Sequence, residues 1–420
     1  MKQIIQWLPA LLALVAVTAA QAVPTEVYRG VLGGTAEVVL EFNAGPAGEV
    51  KKGRYFYRRH GVDIPLRGLP KALAEGLPLD HIEETAGSDD RDNDGAVFKD
   101  PGTGKPRIVW AGRLEGDRYT GTWHDAKTGK SLPFSLKRVA TYDPDKTRST
   151  GVEAVTKAIV QGQGSDLAAG SEISMANAPY NYLRANVRMT EGKEVVRGEV
   201  AYRMVTDPRT HVPYPRLTRH PRADMLARTN RLLEQRHWQM NLEALGCSSS
   251  RYTARGPSAG SLGGYDEENI QVDYLSPTLM SVVESGSTDC GGAHPNNHYE
   301  PYTLDLLRGG YFDFARVLKG YGHGDYTPEY SDAFMRFLRA ALERAAWKRE
   351  AAGAAPNDLD CTDEWPSYLH LHFTAPDQLS FDISGINHAQ SVCLGPHFTL
   401  PFAKLKPILK PEAARYLGTP

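Results

Sequence analysis

No cysteine precedes Cys247 in this 420-residue chain, and only three follow it: Cys290, Cys361 and Cys393. No lipid-acceptor cysteine therefore stands near the N-terminus. None of the four belongs to a Cys-x-x-Cys pair, the spacing that thiolate zinc sites use. An excess of one charge is also missing. Lys and Arg number 48 against 50 Asp and Glu, for a formal charge of −2, and no basic block interrupts the balance. A nucleic-acid partner needs such a block, so that class is excluded. Beyond residue 22, no apolar run approaches the roughly 20 residues of a membrane-crossing helix. No transmembrane anchor is expected.

What is present begins with a secretory pattern. Lys2 gives a positive start, Leu8 to Ala19 is a mostly apolar run, and Ala20-Gln21-Ala22 places small residues at a cleavage position. Residues 1–22 are read as a signal peptide, and the mature chain as soluble and periplasmic or secreted. In an exported chain, an even count of cysteines favours two disulfides. Three connectivities are open. Pairing Cys247 with Cys290 and Cys361 with Cys393 would staple one local unit each, for on the order of 3 kcal/mol apiece.

Length suits two or three domains, and 41% apolar with 23% charged residues is ordinary for a globular chain. Residues 25–140 carry short alternating runs, such as Thr35 to Phe42 and Tyr119 to Trp123, punctuated by Gly, Asp and Asn. That spacing predicts a small β-rich domain, a sheet or barrel with Trp110 and Trp123 in its core. Residues 141–178 read as a Gly-rich linker. Residues 180–420 open with strands over Tyr182 to Met189 and Val195 to Val205. A helix follows from Arg222 to Leu245, with an apolar stripe of Leu226, Leu233 and Met240. A second helix is expected from Pro328, capped by Thr327. Several short strands lie between and after the helices. The expected class is α+β: a small all-β unit, then an α+β domain with an antiparallel sheet packed on two helices.

The second unit resembles the extracytoplasmic domain of the anti-sigma factor RsiV, also found with peptidoglycan deacetylases of the PdaC type. The resemblance rests on Pro215-Arg-Leu leading into the first helix, Leu279 to Gly286, Gly291-Gly-Ala-His294, Thr303-Leu-Asp-Leu, and the ending Leu394 to Pro407. It spans roughly residues 180–411. The chain departs from the family in its secretory start, in lacking a deacetylase domain, and in its four cysteines, with Cys290 inside the signature turn. The resemblance implies an envelope binding or sensing module. RsiV-like proteins bind lysozyme, but no lysozyme-contacting residue maps onto a motif here.

Several residues carry candidate chemistry. His294 and His298 flank the signature turn as possible ligand contacts. The competing reading for His294 is a ring that bonds its own turn's backbone. His370 and His372 share one strand face and, with His388, present a zinc-ligand set. Asp90, Asp92 and Asp94, followed by Gly95, match the first half of a calcium loop, although Pro101 occupies the position of the closing glutamate. Gly256-Pro-Ser258-Ala-Gly260 fits the Gly-x-Ser-x-Gly pattern, but a Gly-rich loop follows where a nucleophile elbow needs a helix. No glycosidase acid pair can be nominated without geometry. The expected function is an exported, non-catalytic binding or sensing protein of the cell envelope, its partner a lysozyme-type hydrolase or peptidoglycan. The alternatives are an envelope hydrolase with an unrecognised site and a metal-binding periplasmic protein, using calcium or zinc. No cofactor is required, with calcium as the one possible addition.

Overall fold

A computed structural model describes residues 24–44, 50–69, 72–75, 102, 104–144, 159, 172–253, 268–290, 295–324, 328–351 and 361–417. The chain first builds a closed antiparallel barrel. Its strands are β1 (Thr25–Leu32), β2 (Ala36–Ala44), β3 (Val50–Tyr57), β4 (Ile64–Leu69), β5 (Ala72–Glu75), β6 (Ile108–Glu115), β7 (Arg118–Asp125) and β8 (Ser131–Tyr142). β1 pairs with β8, Thr25 opposite Tyr142 and Leu32 opposite Phe134, and this closes the ring. Alternation along each strand sends Tyr28, Leu40, Tyr55, Trp110, Tyr119 and Phe134 inward. An eight-stranded barrel is narrow enough for side chains to fill. Trp110 accordingly packs with its ring centroid 5.0 Å from both Tyr55 and Phe134. Trp110 and Trp123 are cross-strand partners and both are buried, as expected of core aromatics. Gly112 lies beneath the rings: a Cβ there would sit 2.6 Å from both Phe134 and Tyr119.

The remaining elements are α1 (Pro179–Ala185), β9 (Thr190–Arg197), β10 (Val200–Thr206), β11 (Pro213–Arg219), α2 (Ala223–Thr253), β12 (Asn269–Leu275), β13 (Leu279–Thr288), β14 (Asn296–Asp305), β15 (Gly310–Tyr311), β16 (Tyr321–His323), β17 (Pro328–Tyr330), α3 (Asp332–Ala351), α4 (Trp365–Tyr368), β18 (Leu369–Thr374), β19 (Gln378–Ile383), β20 (Gly395–Pro401) and α5 (Ala414–Leu417). They correct the expected fold class. Among the described residues strand content is 48% against 26% helix, so they are mostly β rather than α+β. Instead of one sheet on two helices, the described residues beyond the barrel form four small sheets: β11-β10-β9, β12-β13-β14-β15, β16-β17 and β18-β19-β20. The physical reason lies in which faces are apolar. Leu232, Leu233 and Met240 of α2 cluster with Met280, Val282 and Leu304, so α2 covers the four-stranded sheet. Phe334 and Leu338 of α3 join a separate core with Leu371, Phe373, Leu379 and Phe381 of the last sheet. The two long helices thus serve different cores, and α2 packs on β11 as well, through Tyr214 and Leu217.

Two element boundaries also differ from expectation. The strand expected from Tyr182 is instead the end of α1, which has Pro179 in its first turn. Tyr180 of α1 is buried against Val27, Val39 and Phe56 of the barrel wall, and that packing overrides the local strand pattern. The second long helix begins at Asp332 rather than Pro328. Pro328 lies in β17, and the Ser331 hydroxyl accepts from the Phe334 N–H at 3.3 Å, so Ser331 caps the helix.

Cys247 is bonded to Cys290 and Cys361 to Cys393, with Cα separations of 4.7 and 5.8 Å. The first ties α2 to the end of β13. Among the described residues, no helix is long and apolar enough to cross a membrane. Most of 141–178, read as a linker, lies outside the described residues.

Besides the packing of Tyr180, the barrel meets the rest of the chain at one carboxylate. Asp63 accepts from Arg54 at 3.1 Å, Arg184 at 2.9 Å and Tyr180 at 2.7 Å, while Arg184 Nε donates to the Gly61 carbonyl at 2.6 Å. Ser249 of α2 donates to the Asp63 carbonyl.

Candidate functional site

Three polar constellations lie outside the barrel. The first is a groove of about 630 Å³ between the start of β9 and α2. Val205 and Trp238 are its buried apolar parts, Met189 and Arg188 lie on the chain leading into β9, and Arg216 and Glu234 supply charge. Arg216 comes from β11. Its guanidinium donates to the Pro215 carbonyl at 2.9 Å and to His237 Nδ1 at 3.2 Å. Among the described residues, no carboxylate lies within ion-pair distance of it. Burial pushes the Arg216 pKa down to about 10, and the charge of Glu234 opposes that only in part. Arg216 therefore stays cationic at neutral pH while only half-exposed, the condition under which an uncompensated charge is costly. Glu234 makes no hydrogen bond or ion pair among the described residues.

The second constellation sits between the four-stranded sheet and the β18–β20 sheet. His370 opposes Asp382 and His372 opposes Ser380 across β18 and β19, so all four share one face. His372 Nδ1 donates to Asp382 at 2.7 Å and Nε2 to Asp273 at 3.0 Å, while Ser380 donates to the other Asp382 oxygen at 2.6 Å. Asp273 reaches inward because β12 is irregular there: the register passes from Val272 opposite Val282 to Tyr274 opposite Ser281, leaving Asp273 as the extra residue of a bulge. Burial works against a charge on His372. The charge and hydrogen bonds of Asp382 and Asp273 outweigh it and raise its pKa to about 9. Burial holds the His370 pKa down despite Asp382. One imidazole is therefore held charged and its neighbour neutral. The expected common face of His370 and His372 is present. A zinc role for His372 does not fit this arrangement, because both ring nitrogens donate to carboxylates and no lone pair is left for a metal.

The third constellation lies under α2. Arg236 Nε donates to both Glu284 oxygens at 2.9 and 3.0 Å, and its Nη2 reaches Glu300 at 2.5 Å. Tyr214 donates to Glu284 and lies 2.5 Å from the Tyr302 hydroxyl. Each charge in this set has a partner, so it reads as a structural knot holding α2 to β13 and β14. At its edge His298 Nε2 lies 3.0 Å from Glu268. Burial would lower the His298 pKa, but the hydrogen bond and charge of Glu268 raise it; burial raises that of Glu268. His298, expected as a ligand contact, thus spends Nε2 on a buried carboxylate, while its Nδ1 is buried without a partner.

The other expected site residues fall elsewhere. His294, Asp90, Asp92, Asp94 and Ser258 lie outside the described residues, as does the side chain of His388. Among the described residues, no group of three or more His, Cys, Asp or Glu is placed to hold a metal ion. The groove residues Arg216, Glu234 and Trp238 were not singled out from sequence. One signal was there: Arg216 follows Tyr214 at strand period on an otherwise buried strand, Pro213–Arg219. No family model and no curated protein matches this chain.

Proposed function

We propose that this chain is an exported binding protein of the cell envelope, and that its target is peptidoglycan. The observation that carries the reading is Arg216, a cation in the wall of a groove of about 630 Å³ with no carboxylate at ion-pair distance among the described residues. A partly desolvated guanidinium favours an anionic guest, and guanidinium–carboxylate pairing is geometrically specific. Peptidoglycan offers free carboxylates on its stem peptides. The secretory pattern of residues 1–22 and the two disulfides support action outside the cytoplasm. The RsiV-like resemblance implies the other candidate target, a lysozyme-type hydrolase.

Co-sedimentation of the mature protein with purified sacculi tests this. Saturable binding is expected, with Arg216→Gln weakening it about tenfold, the loss typical of one charge-assisted hydrogen bond of ~1.5–3 kcal/mol. Absence of sedimentation, or binding indifferent to Arg216→Gln, would remove the reading. Saturable binding to c-type lysozyme in a parallel titration, with none to sacculi, would move the target to the hydrolase.

A further inference from the structure

Arg216 and Glu234 line the same groove from opposite elements, β11 and α2, yet they do not touch. Glu234 is close enough for its charge to act on Arg216, but the two are not within ion-pair distance, and Glu234 has no other partner among the described residues. Two opposite charges left apart, facing one cavity of about 630 Å³, each need a complement. Direct pairing would be the ordinary solution for a purely structural role. Part of the wall is apolar: Trp238, 6% exposed and edge-on to Tyr182 at 5.5 Å, with Val187, Val205 and Met189. The rest is polar, from Asn186, Arg188, Thr190 and Glu191. An apolar patch beside placed charges can orient a small ligand.

We propose that the groove binds an α-amino-carboxylate, a single carbon bearing both a carboxylate and an ammonium. Its carboxylate meets Arg216, its ammonium meets Glu234, and its side chain lies against Trp238 and Met189. Arg188 and Glu191, both exposed, add one charge of each sign to the lining. The inference rests on the proposed binding role and deepens it by naming the recognised group. Two sources share that chemistry: a free amino acid, and an unsubstituted amino-acid centre carried on a peptidoglycan stem peptide.

The test is calorimetric titration of the mature protein with three probes: a panel of free amino acids, the same panel N-acetylated, and amidase-released stem peptides. The zwitterions are expected to bind, and N-acetylation, which removes the ammonium, to weaken them at least tenfold. Glu234→Gln should abolish that preference while still admitting N-acetyl forms, whereas Arg216→Gln should lose both. Each variant is first compared with the wild type by thermal melting. Because Glu234 is half-exposed and unpartnered, its variant stays informative even if Arg216→Gln folds poorly. Equal binding of free and N-acetylated forms, or zwitterion binding unchanged by Glu234→Gln, overturns the proposal. So does failure of all three probes to bind. Stem peptides binding where free amino acids do not, with the same Glu234 dependence, assigns the polymer as source. Retained binding to sacculi alongside no zwitterion binding would overturn this inference alone and leave the envelope-binding role in place.

Discussion

His372 and His237 show how two residues of one type are set in opposite charge states by what surrounds them. His372 is 1% exposed and sits between two carboxylates, with a pKa near 9. His237 on α2 is fully buried; burial first, and then Arg216, push its pKa down to about 3. Its Nε2 donates to the Val212 carbonyl at 3.0 Å, leaving Nδ1 to accept from Arg216. An unfolded histidine titrates near 6.5. The His372 contribution is therefore complete below about pH 6.5 and lost as pH rises through about 9, on the order of 3 kcal/mol in all. His237 acts the other way. The unfolded chain takes up its proton more readily, so stability falls as pH drops from about 6.5 toward 3. Denaturant midpoints measured from pH 4 to 10 should peak near pH 6.5 to 7. The decline above pH 7 should largely vanish in His372→Asn, which will also be less stable at pH 7. A wild-type alkaline limb identical to the variant's would show that the clamp carries no charge.

At the scale of elements, short contacts hold a long helix in place. α2 runs 31 residues and is held to two sheets: Asn230 bonds both the N–H and the carbonyl of Leu217 in β11, Arg236 reaches β13 and β14, and Cys247 is bonded to Cys290 just beyond β13. The bond lies near the helix's far end and closes a separation of 43 residues. Replacing Cys247 and Cys290 together by serine is expected to lower stability by about 3 kcal/mol, read as a shifted urea midpoint. An unchanged midpoint would mean that the knot around Arg236 alone fixes the helix. The bulge in β12 is the other decisive local feature. At it Tyr274 stands opposite Ser281, while Asp273, next to Val272 on the α2 side, turns the other way and reaches His372.

Across the whole molecule, the barrel is joined to the helical side mainly by polar contacts converging on Asp63. Its carboxylate is shared by Arg54, Arg184 and Tyr180, and Arg184 is almost completely buried. Removing one partner of such a set leaves buried cations uncompensated, a loss of about 3–5 kcal/mol. Asp63→Asn should therefore loosen the joint before it melts either part. The expected readout is a second, earlier transition in thermal unfolding and faster proteolysis between the barrel and α1. A single transition that merely moves down would show that barrel and remainder unfold as one unit.

Much of this was legible in the residues themselves. Period-two runs broken by Gly and Asp marked the barrel strands other than β1 and β5, Trp110 and Trp123 announced its core, and the seven-residue stripe of Leu226, Leu233 and Met240 located α2. Local disulfide pairing followed from an even count and short separations. These features are periodic or local, and sequence carries both directly. What tertiary structure decided was partnership. Strands of similar pattern were divided among separate sheets, with α2 and α3 covering different cores, and Tyr180 drew an apparent strand into α1 by packing on the barrel. Asp273, His372 and Asp382 are brought together from three strands, and Arg216 faces Glu234 across a groove from a strand and a helix. No spacing in a one-dimensional chain encodes such meetings, since they depend on register, bulge and crossing between elements that sequence patterns leave free.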